Sequence, residues 1–408
     1  MKVAIVVQRY GLEVLGGAET LARRAAELIA PDLDLTVLTT CAVDYVSWAD
    51  HYPAGVAEVN GVRVRRFPVS SPRDPLAFEQ ASVRAYASPK NLELGRSWMQ
   101  AQGPNAPGLI EHLREEGEQY DAVVFVTYLY ATTADGLPLV ADRSILVPTV
   151  HDEPPIRLSI FDAVFSKARL CLFSTPEERE LAQERFGVPD DRARVVGSGI
   201  DEYPAADAAR FSRETGIEAP YALYHGRLDP SKGVSELVEH HLRYRANRPN
   251  GLDLVLVGGG DLNLPTTHGF HRLGFVSEEL KHDALAGAEV VVCPSPYESL
   301  SFSQLEAWSH GRPTLVNASS PVLVGQSRRS GGGLWYSSAE EYATMLDLLA
   351  RAKPLAESIG AQGRRYVEAE YRWERVRKLW LEALTEVARE TTPSSRYGSG
   401  DRRSGWGH

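Results

Sequence analysis

Two glutamates late in the chain, Glu298 and Glu306, have a spacing that suggests chemistry. They are the first and last residues of the segment Glu298-Ser-Leu-Ser-Phe-Ser-Gln-Leu-Glu306, which closely follows the apolar run Glu289–Pro294. A strand that ends near one carboxylate and leads into a helix that carries the other places both at the carboxyl edge of a sheet, where open α/β sheets bind ligands. Two fixed acceptors suit a ligand rich in hydroxyl groups, and a helix N-terminus beside them suits a phosphate. Together they suit a nucleotide-activated sugar.

The two glutamates differ in how well a structural role would explain them. Ser303 and Glu306 have the spacing of a capping box, in which the glutamate side chain binds the amide of the cap residue. Glu298 is predicted to lie in a turn, where a carboxylate has no structural role. The main-chain amides between them are expected to face the same site and to add partial positive charge. These amides belong to Ser299, Leu300, Ser301, Phe302 and Ser303.

A second candidate segment, Gly226-Arg-Leu-Asp-Pro-Ser-Lys-Gly233, supplies two cations between a predicted strand and a predicted helix. The guanidinium of Arg227 can bind two phosphate oxygens at once, and Lys232 provides a mobile point charge. A diphosphate leaving group gains negative charge as its bond breaks, so such cations stabilise the transition state more than the ground state. The alternative is a proline-containing turn with two solvated cations.

The first half of the chain offers weaker candidates. Gly16 and Gly17 precede a helix and could let main-chain amides approach a phosphate, although a tight turn explains them equally well. His151 follows a predicted strand and could bind a sugar hydroxyl or carry a proton, although a lone histidine is commonly structural. Neither half contains the glycine fingerprint with a trailing acidic residue that is typical of NAD-dependent oxidoreductases.

Two series of strands and helices must position these residues. The first contains strands at Val3–Val7, Leu35–Thr40, Asp121–Thr127, Ser144–Val150 and Arg169–Ser174, a helix at Gly17–Ile29, and a hairpin over Val56–Phe67 that turns at Asn60-Gly61. Residues 70–118 are predicted to form an irregular insertion with one or two helices. The second contains strands at Tyr221–His225, Leu252–Val257, Glu289–Cys293 and Pro313–Asn317, and helices at Ser235–Arg245, Ser277–Leu285 and Ser303–His310.

This repetition predicts an α/β fold with two Rossmann-like, doubly wound lobes that face a cleft. The boundary is expected near residues 199–220, which gives a first domain over residues 1–200 and a second over residues 201–372. An amphipathic helix within residues 373–390 would close the ordered chain, and the tail at residues 391–408 is predicted to be disordered.

Composition excludes several classes of protein. The 408 residues include 44 Lys and Arg and 54 Asp and Glu, which gives a net charge of −10. No nucleic-acid partner is therefore expected. The three cysteines lie in or next to apolar strand-like runs, which suggests buried thiols in a cytoplasmic protein. No transmembrane segment and no signal peptide are predicted, and attachment to the inner face of a membrane is left open.

The ordered set of motifs resembles a retaining glycosyltransferase of the GT-B fold, family 4, also called glycosyl transferases group 1. The resemblance is strongest from Tyr221 to Tyr336, a stretch that includes the Gly226–Gly233 loop and the two-glutamate segment. It also includes Gly258–Gly260, Gly274-Phe-Val276, Gly311-Arg-Pro and Ser330-Gly-Gly-Gly-Leu, and in the first lobe Gly16-Gly17-Ala-Glu19, His151-Asp and Val195–Asp201.

The resemblance implies a role for each candidate residue. Arg227 and Lys232 would hold the donor diphosphate, with the amides of Gly16 and Gly17 close to it from the other lobe. Glu298 would accept hydrogen bonds from the donor sugar. Glu306 would accept hydrogen bonds from the ribose, and Phe275 and Val276 would contact the base through their main chain. His151 would contact the donor sugar near its reacting carbon.

The resemblance also implies the reaction. A sugar would pass from a UDP or GDP sugar to a hydroxyl of a saccharide, a lipid-linked or a small-molecule acceptor, without a metal or another cofactor. Ser299 and Ser301 stand where glycines are common in the family, which leaves the identity of the donor sugar open. Two alternatives remain: a nucleotide-sugar 2-epimerase, and a catalytically silent partner that binds a sugar nucleotide.

Overall fold

The computed structural model describes residues 1–14, 16–260, 262 and 267–391. These residues form two sheets with helices on both faces, and the strands of the first sheet all precede those of the second. The first sheet ends in the chain at Val195 and the second begins at Tyr221. The division into domains near residue 200 stays a prediction, and the predicted tail beyond residue 391 lies outside the described residues.

The first lobe contains an eight-stranded sheet within the described ranges, in the order β3-β4-β2-β1-β5-β6-β7-β8. Its strands are β1 (Lys2–Val6), β2 (Asp34–Thr40), β3 (Gly55–Val59), β4 (Val62–Phe67), β5 (Ala122–Val126), β6 (Ser144–Val147), β7 (Leu170–Phe173) and β8 (Ala193–Val195). Only the β3–β4 pair is antiparallel among these pairings, which confirms the predicted hairpin. Its helices are α1 (Gly17–Ile29), α2 (Pro75–Ala87), α3 (Leu92–Gln102), α4 (Pro107–Glu116), α5 (Ala131–Ala134), α6 (Asp162–Lys167) and α7 (Pro176–Phe186).

The prediction of one or two helices over residues 70–118 is wrong, because α2, α3 and α4 all lie there. The side chain of Asp74 caps the start of α2, and that of Asn91 caps the start of α3. The buried residues of α2 are two alanines, Ala81 and Ala85. A helix that buries such small side chains shows little apolar periodicity, so its pattern was too weak to predict it.

The second lobe has a six-stranded parallel sheet among the described residues, in the order β11-β10-β9-β12-β13-β14. Its strands are β9 (Tyr221–His225), β10 (Asp253–Val257), β11 (Phe270–Gly274), β12 (Val290–Cys293), β13 (Thr314–Asn317) and β14 (Gly333–Tyr336). Its helices are α8 (Ala208–Thr215), α9 (Val234–Asn247), α10 (Glu278–Gly287), α11 (Phe302–Ser309), α12 (Pro321–Ser330), α13 (Ala339–Arg351) and α14 (Lys353–Glu370).

The last helix, α15 (Trp373–Thr391), follows the second lobe in sequence but packs on the first. Val376, Trp380 and Leu384 are buried in one apolar cluster with the strands β1, β2 and β5. The chain therefore crosses between the lobes twice. None of the helices in the described ranges combines the length and the apolar character that a membrane span requires.

Candidate active site

A cavity of about 450 Å³ lies between the two lobes. From the first lobe it is lined by the start of α1 and by residues that follow β1, β2, β5, β6 and β7, and from the second by residues that follow β9 and β12. These are carboxyl ends of parallel strands, the expected place for a ligand. The lining residues that the sequence predicts are Gly16, Gly17, His151, Arg227, Lys232, Glu298, Ser299, Leu300 and Phe302.

The two loops that carry Lys232 and Glu298 meet at the floor of this cavity. Gly233 has a φ of +71°, and a Cβ there would clash with the carbonyl oxygen of Pro294. Glycine therefore lets the loop after β9 approach the main chain just after β12. As a result, Lys232 Nζ donates to Glu298 Oε1 at 2.8 Å, with both side chains partly buried.

The other predicted cation, Arg227, reaches across the cavity. Its Nη1 donates to the hydroxyl of Tyr45 at 3.1 Å, and its guanidinium lies 5.5 Å from the centre of the Tyr45 ring. Tyr45 belongs to the loop after β2 and was not predicted to be part of the site. The sequence offers one signal that Tyr45 could belong to the site, which is its place shortly after the carboxyl end of the predicted strand Leu35–Thr40.

His151 of the first lobe is partly buried and faces Tyr297 of the second lobe. Its ring stacks on Tyr297 with 5.8 Å between the ring centres. Its Nδ1 is buried without a hydrogen-bond partner among the described residues and lies 3.7 Å from Glu153 Oε1. Burial, together with the charge of Lys232, lowers the pKa of His151 to about 4, so the imidazole is uncharged near neutral pH.

Gly16 and Gly17 bring the start of α1 to the cavity. Gly16 is the N-cap residue, and no side chain caps this end of the helix. The carboxylate of Glu19 lies beside Gly16, where a Cβ would clash with it. Glu19 is buried and accepts from Gln8 Nε2 at 2.8 Å and from Arg9 Nε at 2.9 Å. This carboxylate is thus part of a buried ion pair.

Glu306 does not line the cavity. The capping box of Ser303 and Glu306, which could have explained this glutamate, is a wrong prediction. The cap of α11 is Ser301, whose Oγ accepts from the amide of Gln304 at 3.3 Å. Ser303 instead donates its hydroxyl to the carbonyl oxygen of His225 at 2.9 Å. Glu306 accepts from Lys281 Nζ at 3.1 Å. Its carboxylate is therefore tied to α10, and its predicted contact with a ribose stays a prediction.

Phe275 and Val276 also lie outside the cavity lining. They follow β11, and the Phe275 side chain is 75% exposed. Its ring covers Gly259, where a Cβ would clash with it. Val276 is partly buried against an apolar cluster of the second lobe. The predicted main-chain contacts of both residues with a base stay predictions.

The carboxyl ends of β5 and β6 are held in an unusual conformation. Thr127 has a φ of 64° and Thr149 a φ of 51°, and both line the cavity. A β-branched residue rarely adopts a positive φ, and such strain is found preferentially at functional sites. The buried carboxylate of Glu178 fixes this region, because it accepts from the amides of Val150 at 2.8 Å and Ser174 at 2.6 Å.

Comparison with known proteins identifies the second lobe. Residues 219–350 match the family model described as Glycosyl transferases group 1. Within the second lobe, these residues are similar to the group 1 glycosyl transferases. The match spans Arg227, Lys232 and Glu298, so the predicted resemblance to group 1 glycosyl transferases is confirmed, whereas family 4 and retention of configuration stay predictions.

Two curated proteins that are similar to this chain carry glycosyltransferase names. "Uncharacterized glycosyltransferase MJ1607" of Methanocaldococcus jannaschii is 26% identical over 212 residues, which cover 47% of this chain and 54% of that protein. "D-inositol 3-phosphate glycosyltransferase" of Geodermatophilus obscurus is 26% identical over 287 residues, which cover 65% and 62%. The chain therefore spans less than two thirds of the length of these relatives. Both names describe glycosyltransferases.

Solved structures superpose on both lobes of the chain. Sucrose-phosphate synthase of Thermosynechococcus elongatus superposes with a TM-score of 0.70 at 19% identity and covers 95% of this chain and 99% of its own. Anabaena HepE in complex with UDP has a TM-score of 0.69 at 14% identity and covers 95% and 100%. These neighbours share the GT-B fold, so the predicted fold is confirmed over both lobes.

Proposed function

We propose that the protein transfers a sugar from a nucleotide-diphosphate sugar to an acceptor hydroxyl, with retention of configuration at the anomeric carbon. The observation that carries this proposal is the meeting of Arg227, Lys232 and Glu298 with the start of α1 in one inter-lobe cavity. The group 1 match of the second lobe supports it. The UDP and UDP-glucose complexes of HepE support a nucleotide sugar as the donor.

In this proposal the cations act on the leaving diphosphate. Arg227 and Lys232 bind its oxygens, and the free amides of Gly16 and Gly17 approach it from the first lobe. Negative charge grows on these oxygens as the bond to the sugar breaks, so the contacts strengthen in the transition state. Glu298 orients the sugar hydroxyls while it keeps the ammonium of Lys232 in place.

The bond from the anomeric carbon to the β-phosphate oxygen breaks, and the acceptor oxygen forms its new bond on the same face. The proton of the acceptor hydroxyl passes to the β-phosphate oxygen. Two further carboxyl groups line the cavity, and neither suits the role of a covalent nucleophile. Glu19 is paired with Arg9, and burial raises the pKa of Glu153 to about 7, which keeps much of it protonated. His151 is uncharged and hydrogen-bonds the donor sugar.

The test is incubation of the protein with UDP-, GDP-, ADP- and dTDP-sugars, with and without candidate acceptors. We expect acceptor-dependent release of one nucleoside diphosphate and an anomeric configuration in the product that matches the donor. EDTA should leave the rate unchanged, because the proposal needs no metal or other cofactor. Epimerised donor without transfer would establish the epimerase, and binding without turnover would establish the silent partner. The acceptor class and a cytoplasmic location stay predictions.

A further inference from the structure

On the described part of the first-lobe wall, where an acceptor would lie, the one cation is Arg9, and it is already paired with a carboxylate. Among the described residues of this wall, the charged side chains are Arg9, Glu19 and Glu153. Arg9 is 5% exposed and binds Glu19 through Nε and Nη2, while its Nη1 donates to the carbonyl oxygen of Val43 at 2.8 Å. If an acceptor phosphate bound Arg9 instead, the buried carboxylate of Glu19 would lose its cationic partner, which is costly.

The cations of the opposite wall are needed elsewhere. Lys232 already binds Glu298, and both Lys232 and Arg227 are required by the donor diphosphate in the proposed function. The start of α1 faces the same diphosphate and already carries the Glu19 carboxylate beside Gly16. A second phosphate would have to compete for these groups.

Glu153 is the third of these charged side chains, and it is not part of the Arg9–Glu19 pair. Its side chain is 20% exposed, and its Oε1 accepts from the hydroxyl of Tyr128 at 3.2 Å. The titratable groups that face it are Tyr86 on α2, Tyr128 and Tyr130 after β5, and His151 on its own loop. Burial raises the pKa of each tyrosine and lowers that of His151, so all four are uncharged near neutral pH.

We propose that Glu153 hydrogen-bonds a hydroxyl group of the acceptor, and that the acceptor is an uncharged hydroxyl compound and not a phosphorylated one. This inference rests on the proposed function. A carboxyl group in uncharged surroundings can hydrogen-bond an alcohol, whereas it repels a phosphate when it is ionised. The inferred acceptor differs from the phosphorylated compound in the name of the Geodermatophilus relative.

The first experiment compares matched acceptor pairs with the best donor. Suitable pairs are myo-inositol with inositol 3-phosphate, glucose with glucose 6-phosphate, and fructose with fructose 6-phosphate. We expect kcat/KM to be about tenfold or more higher for the uncharged member of at least one pair. Equal or faster transfer to the phosphorylated members would overturn the inference, as would the failure of every uncharged acceptor.

A parallel measurement separates this inference from the proposed function. Nucleotide release from the donor into water and binding of UDP or GDP need no acceptor. If these persist while the acceptor preference fails, only the acceptor inference is wrong. If both are absent for every donor, the proposed function itself fails, and the acceptor inference fails with it.

A second experiment tests Glu153 directly through the variant Glu153→Gln, which keeps the size of the side chain but cannot ionise. The burial-raised pKa of about 7 means that Glu153 in the wild type gains charge between about pH 6 and about pH 8. Over this pH range, the ratio of kcat/KM for the uncharged acceptor to kcat/KM for the phosphorylated one should therefore rise more for the wild type than for the variant. Comparison of the two proteins at each pH cancels the ionisation of the phosphate itself.

The matched control is Asp152→Asn, which removes the neighbouring carboxylate. Asp152 is exposed, pairs with Arg157 and does not line the cavity, so this variant should keep the wild-type pH profile. Identical pH profiles for wild type and Glu153→Gln would overturn the role of Glu153. Donor binding by both variants shows that they are folded.

Discussion

At the scale of single residues, the contact between Lys232 and Glu298 is the most informative in the cavity. It joins a group proposed to bind phosphate to a group proposed to bind sugar at 2.8 Å. An exposed ion pair contributes only about 0–1 kcal/mol to stability. This partly buried pair matters more because it holds the ammonium in place before the donor arrives, so less reorganisation is needed during the reaction.

We therefore expect Lys232→Ala and Glu298→Ala each to lower kcat for transfer by about 100-fold or more, because each removes a fixed charge at the reacting centre. Both variants should remain folded by circular dichroism. The control is Lys353→Ala, which breaks a lysine–glutamate pair with Glu289 elsewhere in the second lobe. Transfer at the normal rate by either site variant would show that the assigned roles are wrong.

At the scale of elements, the site depends on how the ends of β6 and β7 are fixed. Glu178 on α7 accepts from the amides of Val150 and Ser174, which follow these two strands. One carboxylate thereby positions the loop that begins at His151. Thr175 and Glu178 have the spacing of a capping box, so the sequence alone would suggest a local cap and conceal this contact.

Replacement of Glu178 by alanine should leave these two buried amides without acceptors and reduce the free energy of unfolding of the first lobe by about 2–4 kcal/mol. Glu180→Ala is the matched control, since Glu180 is exposed on the same helix. Urea denaturation followed by circular dichroism measures both variants. An equal and small effect of the two substitutions would contradict the positioning role of Glu178.

Glu178 should also make stability depend on pH. Burial raises its pKa from an ordinary 4.5 to about 8. A raised carboxyl pKa stabilises the folded state fully below about pH 4.5, and this contribution is lost as the pH rises through about 8. The wild type should lose stability relative to Glu178→Gln between about pH 5 and about pH 8, as measured by urea denaturation at each pH. A constant difference would contradict the raised pKa.

The same elements show what the sequence could predict. The bounds of α1 and β9 agree with the prediction to the residue, because each has a clear apolar pattern between turn residues. The edge strands β11 and β14 are missing from the predicted strands. β11 (Phe-His-Arg-Leu-Gly) is partly exposed and has no continuous apolar run, and β14 (Gly-Leu-Trp-Tyr) is only four residues long and partly exposed. Half-exposed edges give no pattern that separates them from loops.

For the candidate site, the carboxyl-edge rule predicts a shared site for His151, Arg227, Lys232 and Glu298, and these four residues line one cavity, while their roles stay predictions. It could not predict Tyr45 or Glu153, because both lie on loops whose course depends on tertiary contacts. Glu153 was visible in the sequence next to His151. Only its burial in the folded chain distinguishes it from the exposed Asp152.

At the scale of the whole molecule, α15 joins the two lobes by filling the core of the first with residues from the end of the chain. Direct contacts between the two lobes add to this connection. Thr175 donates its hydroxyl to the carbonyl oxygen of Ser299 at 3.1 Å, and Arg329 forms an ion pair with Glu177. These contacts fix the first-lobe residues opposite the cations of the second lobe.

Removal of the central side chain of α15 should therefore weaken the first lobe. Trp380 is fully buried against that lobe, and Trp380→Ala is expected to reduce its free energy of unfolding by about 3–5 kcal/mol. The exposed neighbour Lys378 provides the control variant Lys378→Ala, which should unfold like the wild type. Hydrogen exchange resolved by lobe measures the effect, and unchanged protection of β1 and β5 in the tryptophan variant would contradict it.

A crystal structure of the protein with UDP or GDP is the most direct test of the central claim. It should show the diphosphate in the inter-lobe cavity, with its oxygens about 3 Å from Lys232 Nζ and from the guanidinium of Arg227, and close to the amides of Gly16 and Gly17. Arg227 should then exchange its contact with Tyr45 for one with phosphate. A diphosphate bound outside this cavity, or bound in it without Arg227 and Lys232, would contradict the claim.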